Sequence, residues 1–153
     1  MEDLQTDLDQ LEDALRRLFQ YIKRPSTWQS LTSLAGVQID RPSAHIIHTL
    51  VQNQKSPYKL NDLADSLGIE APSVSRKTQE LEALGLIRRL RSSSDRRSVY
   101  LEVTDEGREI EKRIRQARRN SSESVLKGWT KSERQQFVSL FDRYIEGLKL
   151  HGR

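Results

Sequence analysis

The sequence predicts a mostly α-helical (α+β) chain, and three observations carry that expectation. Long apolar stripes at helical spacing stand near both ends. Two short amphipathic segments joined by a glycine turn stand in the middle. Directly after them come two strand-like runs around a serine- and arginine-rich tip, "RSSSDRRSVYLEVTDEG", residues 91–107.

The first stripe, Leu4, Leu8, Leu11, Leu15, Leu18, Phe19 and Ile22, recurs at steps of three and four. That spacing places apolar side chains on one helix face across residues 3–23. Acids come early and Arg16, Arg17, Lys23 and Arg24 come late, as the helix dipole favours. Pro25 reads as the stop, and residues 25–40 as less regular. Asp40 can cap a helix with Pro42 in its first turn, running through Ile46, Ile47, Leu50 and Val51.

"KLNDLADSLG" puts Leu60, Leu63, Ala64 and Leu67 on one face and ends at Gly68. "APSVSRKTQELEALG" then starts a second helix with Pro72 in its first turn, Val74, Leu81 and Leu84 inward, and Gly85 as the stop. Two helices with a tight turn of this kind form a helix-turn-helix. Val99, Leu101 and Val103 alternate with Tyr100 and Glu102, the period of a half-buried strand paired with "LIRRLR". Thr104 can cap a further helix, where Ile110, Ile114, Ala117, Ser121 and Val125 have a spacing near a coiled-coil seam. "TKSE", residues 130–133, is a capping-box pattern, and Phe137, Leu140, Phe141, Tyr144, Ile145 and Leu148 stripe the last helix.

The 153 residues fit one domain, or one lobe with an assembly region. Apolar residues are only 35%, thin for a self-sufficient core, so some apolar surface is expected to be covered by a partner. No cysteine occurs, which excludes a thiol redox sensor, a cysteine nucleophile, a cysteine–zinc site and disulfides in this sequence. No run approaches the ~20 apolar residues of a membrane span, and the acidic amphipathic start is unlike a secretory signal. The expected location is therefore cytoplasmic, with no membrane partner.

Net charge is +4, with 26 basic and 22 acidic residues. Residues 71–100 hold seven basic residues against three acidic ones, a local excess as large as that of the whole chain. A basic footprint on one motif fits a polyanion surface, although a solvated charged face would read the same from composition.

A helix-turn-helix followed by a basic hairpin is a winged helix. "LADSLG", "PSVSRKTQELEALGLI", the "DRR" tip and "VYLEVTDEG" stand in order within residues 59–107. This segment resembles the core of MarR-family (multiple antibiotic resistance regulator) transcription factors. The resemblance implies a winged helix-turn-helix with flanking N- and C-terminal dimerisation helices. It also implies a homodimer in which each winged helix reads half of an inverted repeat in double-stranded DNA. The expected boundaries are 1–55 for the N-terminal helices, 56–104 for the DNA-binding lobe and 105–153 for the C-terminal dimerisation helices.

The exposed start of a second motif helix meets base edges in the major groove. Here it offers Ser73, Ser75 and Arg76, with Lys77 and Gln79 nearby. Arg can bond guanine O6 and N7 bidentately, and Ser can serve bases or phosphates. By match to the family pattern, Asp95 and Arg97 are the wing-tip acid and arginine, with Arg96 at the variable place between them. Such a wing reaches a minor groove, where arginine suits the negative potential. Arg88, Arg89 and Arg91 either neutralise phosphates or pair with Glu80 and Glu82. Lys59 departs from the pattern, since the family usually has Ser or Thr there. Lys cannot cap a helix in that way, so a frayed helix start is expected, with the ammonium placed toward a phosphate.

His45 and His48 stand one turn apart, a spacing that can share a metal, but no third ligand is evident. The plainer reading is polar helix residues, and no metal or cofactor is assigned. Trp28 and Trp129 can line an effector pocket, which the resemblance implies, or can simply pack. No ligand-binding residue is assigned. No catalytic motif is found. The expected function is a ligand-responsive repressor. The alternatives are an architectural or non-specific nucleic-acid binder, and an interaction module that kept the fold.

Overall fold

The computed structural model describes residues 2–53, 57–91 and 98–151, with side chains from Leu4 onward. The helices are α1 (Glu2–Lys23), α2 (Pro25–Ala35), α3 (Arg41–Gln52), α4 (Leu60–Leu67), α5 (Ala71–Ala83), α6 (Asp105–Leu126) and α7 (Lys131–His151). The strands are β1 (Tyr58–Lys59), β2 (Ile87–Arg91) and β3 (Val99–Val103). They form one antiparallel sheet in the order β1-β3-β2.

Residues 25–40 are more regular than expected. Pro25 does not merely end α1. It occupies the first turn of α2, where its missing N–H has no helical partner to lose. Asp40 caps α3 as the sequence predicts, its carboxylate accepting from Ser43 N at 2.8 Å. Thr104 likewise accepts from Gly107 N at 3.1 Å at the start of α6. The capping box is present too: Thr130 Oγ1 accepts from Glu133 N at 3.2 Å, and Glu133 Oε2 accepts from Thr130 N at 2.7 Å. The Thr130 amide, then its hydroxyl, hold the Glu133 carboxyl below its ordinary range.

Met1–Ala117 form one compact unit and Arg118–Arg153 a second. The main core of the first unit joins Ile46, Ile47 and Leu50 of α3 to Leu60, Leu63 and Ala64 of α4, Val74 and Leu81 of α5, and Leu86, Ile87 and Leu101 around the hairpin. Leu84, expected inward, is 66% exposed. The buried stripe of α5 runs Val74, Thr78, Leu81, and its next position is Gly85, where the chain turns at φ +73°. Leu86 fills the core from beyond that turn.

A smaller cluster gathers Ala35, Ala44, Ile114 and Ala117, with Trp28, Leu31, Val37, Ile39 and Ile110 against it. The first half of the α6 stripe is therefore used inside the chain rather than as a coiled-coil seam. Trp28 packs here as well. Its Nε1 donates to Ile39 O at 2.9 Å, and the Arg41 guanidinium lies 5.5 Å from the ring centroid. In the second unit, Trp129 meets Phe137 edge-on at 5.4 Å and Phe137 stacks on Phe141 at 5.8 Å. Yet α7 buries none of its residues. Among the described residues no helix is long and apolar enough to cross a membrane.

Candidate nucleic-acid interface

The turn between α4 and α5 is residues 68–70. Gly68 sits at φ +62°, a left-handed conformation that suits glycine and lets the chain reverse directly into α5. The result gives α5 two distinct faces. Val74, Thr78 and Leu81 are buried, while Ser73, Arg76, Gln79 and Glu80 are exposed. Three of the five residues expected to meet DNA from this helix, Ser73, Arg76 and Gln79, thus share the outer face. Among the described residues none pairs with the Arg76 guanidinium. Ser75 is half-buried at the edge of that face, where a cleft lined by Lys59, Asn61, Ser75 and Ser98 opens.

Lys77 is placed differently. Its ammonium donates to Asp40 Oδ2 at 2.9 Å and to Glu80 Oε2 at 2.5 Å. The hydrogen bond to Glu80, then that to Asp40, push the ammonium above its ordinary value. For Asp40, burial works against the charge, but the bonds from Ser43 and Lys77 outweigh it and hold the carboxyl below the usual range. Lys77 thereby ties α5 to the capped start of α3.

In the hairpin, Arg88 stands opposite Glu102 and Arg91 opposite Val99, and both arginines are exposed. Arg89, on the opposite face of β2 from Arg88, packs against α5 and reaches Glu82 as one of the two sequence readings has it. Asp95, Arg96 and Arg97, assigned to the wing tip, lie outside the described residues. Lys59 makes no side-chain cap bond at the start of α4. That start does not fray in the structure, because Tyr58 and Lys59 pair with Leu101 and Tyr100 as β1 and because Leu60 is buried.

His48 Nδ1 lies 3.1 Å from Oε1 of the buried Glu111, a link between α3 and α6, while His45 is exposed. Among the described residues no cluster of three metal-ligating side chains occurs. Sequence reasoning overlooked Thr78, which is fully buried. The signal was its position, four residues after Val74 and three before Leu81, inside an apolar stripe.

The sequence signature of the MarR family matches residues 39–99, which span α3 to the start of β3. YxaD of Bacillus subtilis (strain 168), an uncharacterised HTH-type transcriptional regulator, is 30% identical over 105 residues, covering 69% of this chain and 72% of the relative. The chain belongs to the MarR family. Solved structures agree on the fold. A MarR family protein from Bacillus stearothermophilus superimposes with a TM-score of 0.75 at 16% identity, over 95% of each chain. FabT of Streptococcus pneumoniae, solved in complex with DNA, gives 0.71 at 21% identity, over 93% of this chain and 97% of its own. This MarR-family chain is thus a winged helix-turn-helix flanked by helices on both sides.

Proposed function

We propose that this MarR-family transcriptional regulator binds an inverted-repeat operator in double-stranded DNA as a homodimer, in the cytoplasm, and acts as a repressor released by a small-molecule effector. The observation that carries the reading is the outer face of α5. A helix whose inner stripe is locked into the core presents Ser73, Arg76 and Gln79 outward, beside a basic hairpin. Arg76 is assigned to a base edge, and Ser73, Ser75 and Gln79 to bases or adjacent phosphates. Arg88 and Arg91 are assigned to phosphates, and Asp95, Arg96 and Arg97 to the minor groove beside them. Lys77, engaged by two carboxylates, takes the role of holding α5 in place. The DNA complex of FabT, a protein of the same fold, supports the reading.

Two copies must set their α5 helices about 34 Å apart to fill successive major grooves. An effector that binds one lobe arrangement better than the other by a few kcal/mol is enough to shift the population off DNA. Selection from random double-stranded DNA by the purified protein at physiological salt tests this. The expected product is an inverted repeat with half-sites about one helical turn apart. Unselective binding would favour an architectural role, and no binding would favour an interaction module.

A further inference from the structure

One arginine of the hairpin has no part in the DNA contacts assigned above. Arg89 stands in the middle of β2, opposite Leu101, with its side chain only 14% exposed. Its Nη1 donates to the Ser75 carbonyl at 2.7 Å and to Thr78 Oγ1 at 3.1 Å. Its Nη2 donates to Ser75 Oγ at 3.4 Å. Its backbone N–H donates to Glu82 Oε1 at 3.1 Å, and its Nε lies 4.0 Å from Glu82 Oε2. Ser75, Thr78 and Glu82 follow one another at i, i+3 and i+7, one stripe along α5. A single residue of the wing's first strand therefore grips two turns of the helix that faces DNA.

The chemistry of each group gives the grip a direction. A guanidinium is a planar fork of donors with no acceptor, so the Ser75 hydroxyl can only accept from it. The Ser75 carbonyl already takes Thr78 Oγ1 at 2.9 Å together with Nη1. With one lone pair of Ser75 Oγ turned to Arg89, the hydroxyl proton remains available for donation elsewhere. Ser75 lies at the edge of the outer face, where an acceptor on DNA for that proton would be a phosphate oxygen, guanine O6 or N7, or thymine O4.

We propose that Arg89 is a positioning residue which clamps the wing to α5 and orients Ser75 as a hydrogen-bond donor, without touching DNA itself. The proposal rests on the DNA-binding reading above and deepens it. Arg89 sets the angle between wing and recognition helix and the polarity of one contact, so it governs selectivity more than attraction. Lysine is a poor substitute, because a point ammonium cannot serve Ser75 O, Thr78 Oγ1 and Ser75 Oγ from one plane.

The test uses the full chain and the operator it selects. Affinities for that operator and for single-base variants of each half-site are measured at several salt concentrations. The proteins compared are the parent chain, Arg89→Lys, Arg89→Met, Ser75→Ala and the double variant Ser75→Ala with Arg89→Lys. Arg89→Lys is expected to weaken operator binding on the order of tenfold in a dimer carrying two copies. It should narrow the discrimination between operator and variants and leave the salt slope unchanged for Arg89→Met as well. On discrimination, the double variant should resemble Ser75→Ala alone. Parent-like discrimination by Arg89→Lys overturns the proposal. So does a salt slope lowered by about 2 in Arg89→Met, the signature of one lost phosphate contact per subunit. Should Arg89→Lys fail to fold, Thr78→Val removes an acceptor of the clamp without touching a charge. It must also narrow discrimination, and an unchanged profile overturns the proposal. A parent chain that selects no operator defeats the DNA reading itself, a failure visible before any variant is made.

Discussion

Asp40 serves two elements at once. It accepts from Ser43 N to cap α3 and from Lys77 Nζ to hold α5. Its folded-state pKa lies below the ordinary aspartate value. A depressed carboxyl pKa means stability that is present above the unfolded value, about 3.9, and lost as pH falls through the folded one. Lys77 has the opposite sign: its raised pKa gives stability present below the ordinary lysine value and lost as pH rises through the folded one. Asn caps nearly as well as Asp, so Asp40→Asn isolates the charge. The expected loss at pH 7 is about 0.5–1 kcal/mol, kept small because the Asp40 side chain is half exposed and screened. Urea unfolding should show that difference vanish in acid. Neighbouring residues on α5 separate by role. Arg76→Ala should cost about 2–6 kcal/mol per dimer and relax preference at one base pair in each half-site, since a bidentate base contact is worth about 1–3 kcal/mol and acts twice. Lys77→Ala should weaken operator binding without erasing the preference at any one base pair, because Lys77 holds the helix rather than a base. Competition binding with single-base variants distinguishes the two, and unchanged preference in Arg76→Ala would make Arg76 a phosphate contact.

At the scale of elements, the joint between hairpin and α6 shows how closely backbone can approach backbone. Thr104 Oγ1 donates to Gly85 O at 2.7 Å and Thr104 N to Leu86 O at 3.1 Å. These bonds fasten the start of α6 to the turn that ends α5. Gly107, three residues on, rests against the same turn and the end of β3, and a Cβ there would lie 2.2 Å from Leu86 O and 2.8 Å from Val103 Cγ2. Neither the backbone oxygen nor the sheet behind it can retreat cheaply. Gly107→Ala is therefore expected to destabilise the fold by about 1–3 kcal/mol, the cost of overpacking, and a thermal melt reads it. An unshifted melting curve would show that α6 can slide along its own axis. Much of this level was legible in the sequence, because caps and turns are local chemistry: the cap bonds of Asp40, Thr104 and the Thr130–Glu133 box, and the turn at Gly68, all lie within four residues. What escaped depends on distant partners. β1 is two residues long, too short to show a period, and exists only because β3 runs beside it. The Thr78 hydroxyl donates locally to Ser75 O, but the donor it accepts from, Arg89, comes from the hairpin. For Arg89 the sequence leaves phosphate neutralisation and pairing with Glu80 or Glu82 both open, since nothing local shows that β2 crosses the Ser75–Glu82 stripe. In the candidate site, the outward set Ser73, Arg76 and Gln79 followed from helical period, whereas the engagement of Lys77 by Asp40 spans 37 positions and did not.

The whole molecule carries more apolar surface than one chain covers. On α1, Leu4 is 64% and Phe19 57% exposed, with Leu8, Leu11, Leu18 and Ile22 also open. On α7, Phe137, Leu140, Phe141 and Leu148 are exposed, and no residue of that helix is buried. Fully burying one such side chain is worth about 1.5–3 kcal/mol, so covering a half-exposed one yields roughly 1 kcal/mol. The four on α7 alone, counted in two copies, give about 8 kcal/mol, and the α1 stripes add more. Association costs about 4–15 kcal/mol in lost freedom and side-chain ordering. The six on α1, counted the same way, give about 12 kcal/mol, so each stripe alone falls inside that range, whereas both together, at about 20 kcal/mol, exceed it. The homodimer proposed above should accordingly need both ends of the chain. A dimer that binds only when folded makes the melting temperature rise with protein concentration, which a set of melts over two decades of concentration detects. Leu140→Glu loses the apolar contact twice and places two carboxylates in the interface. It should lower dimer affinity by at least a hundredfold and abolish operator binding at concentrations where the parent chain is saturated. The winged helix itself draws no residue of α7 into its core, whose buried members all lie between Ile46 and Leu101. Deleting residues 131–153 should then leave a helical, DNA-attracted chain that no longer requires two half-sites. Sedimentation of that truncated chain decides the matter: a stable dimer with full affinity for the inverted repeat would place the interface on α1 alone.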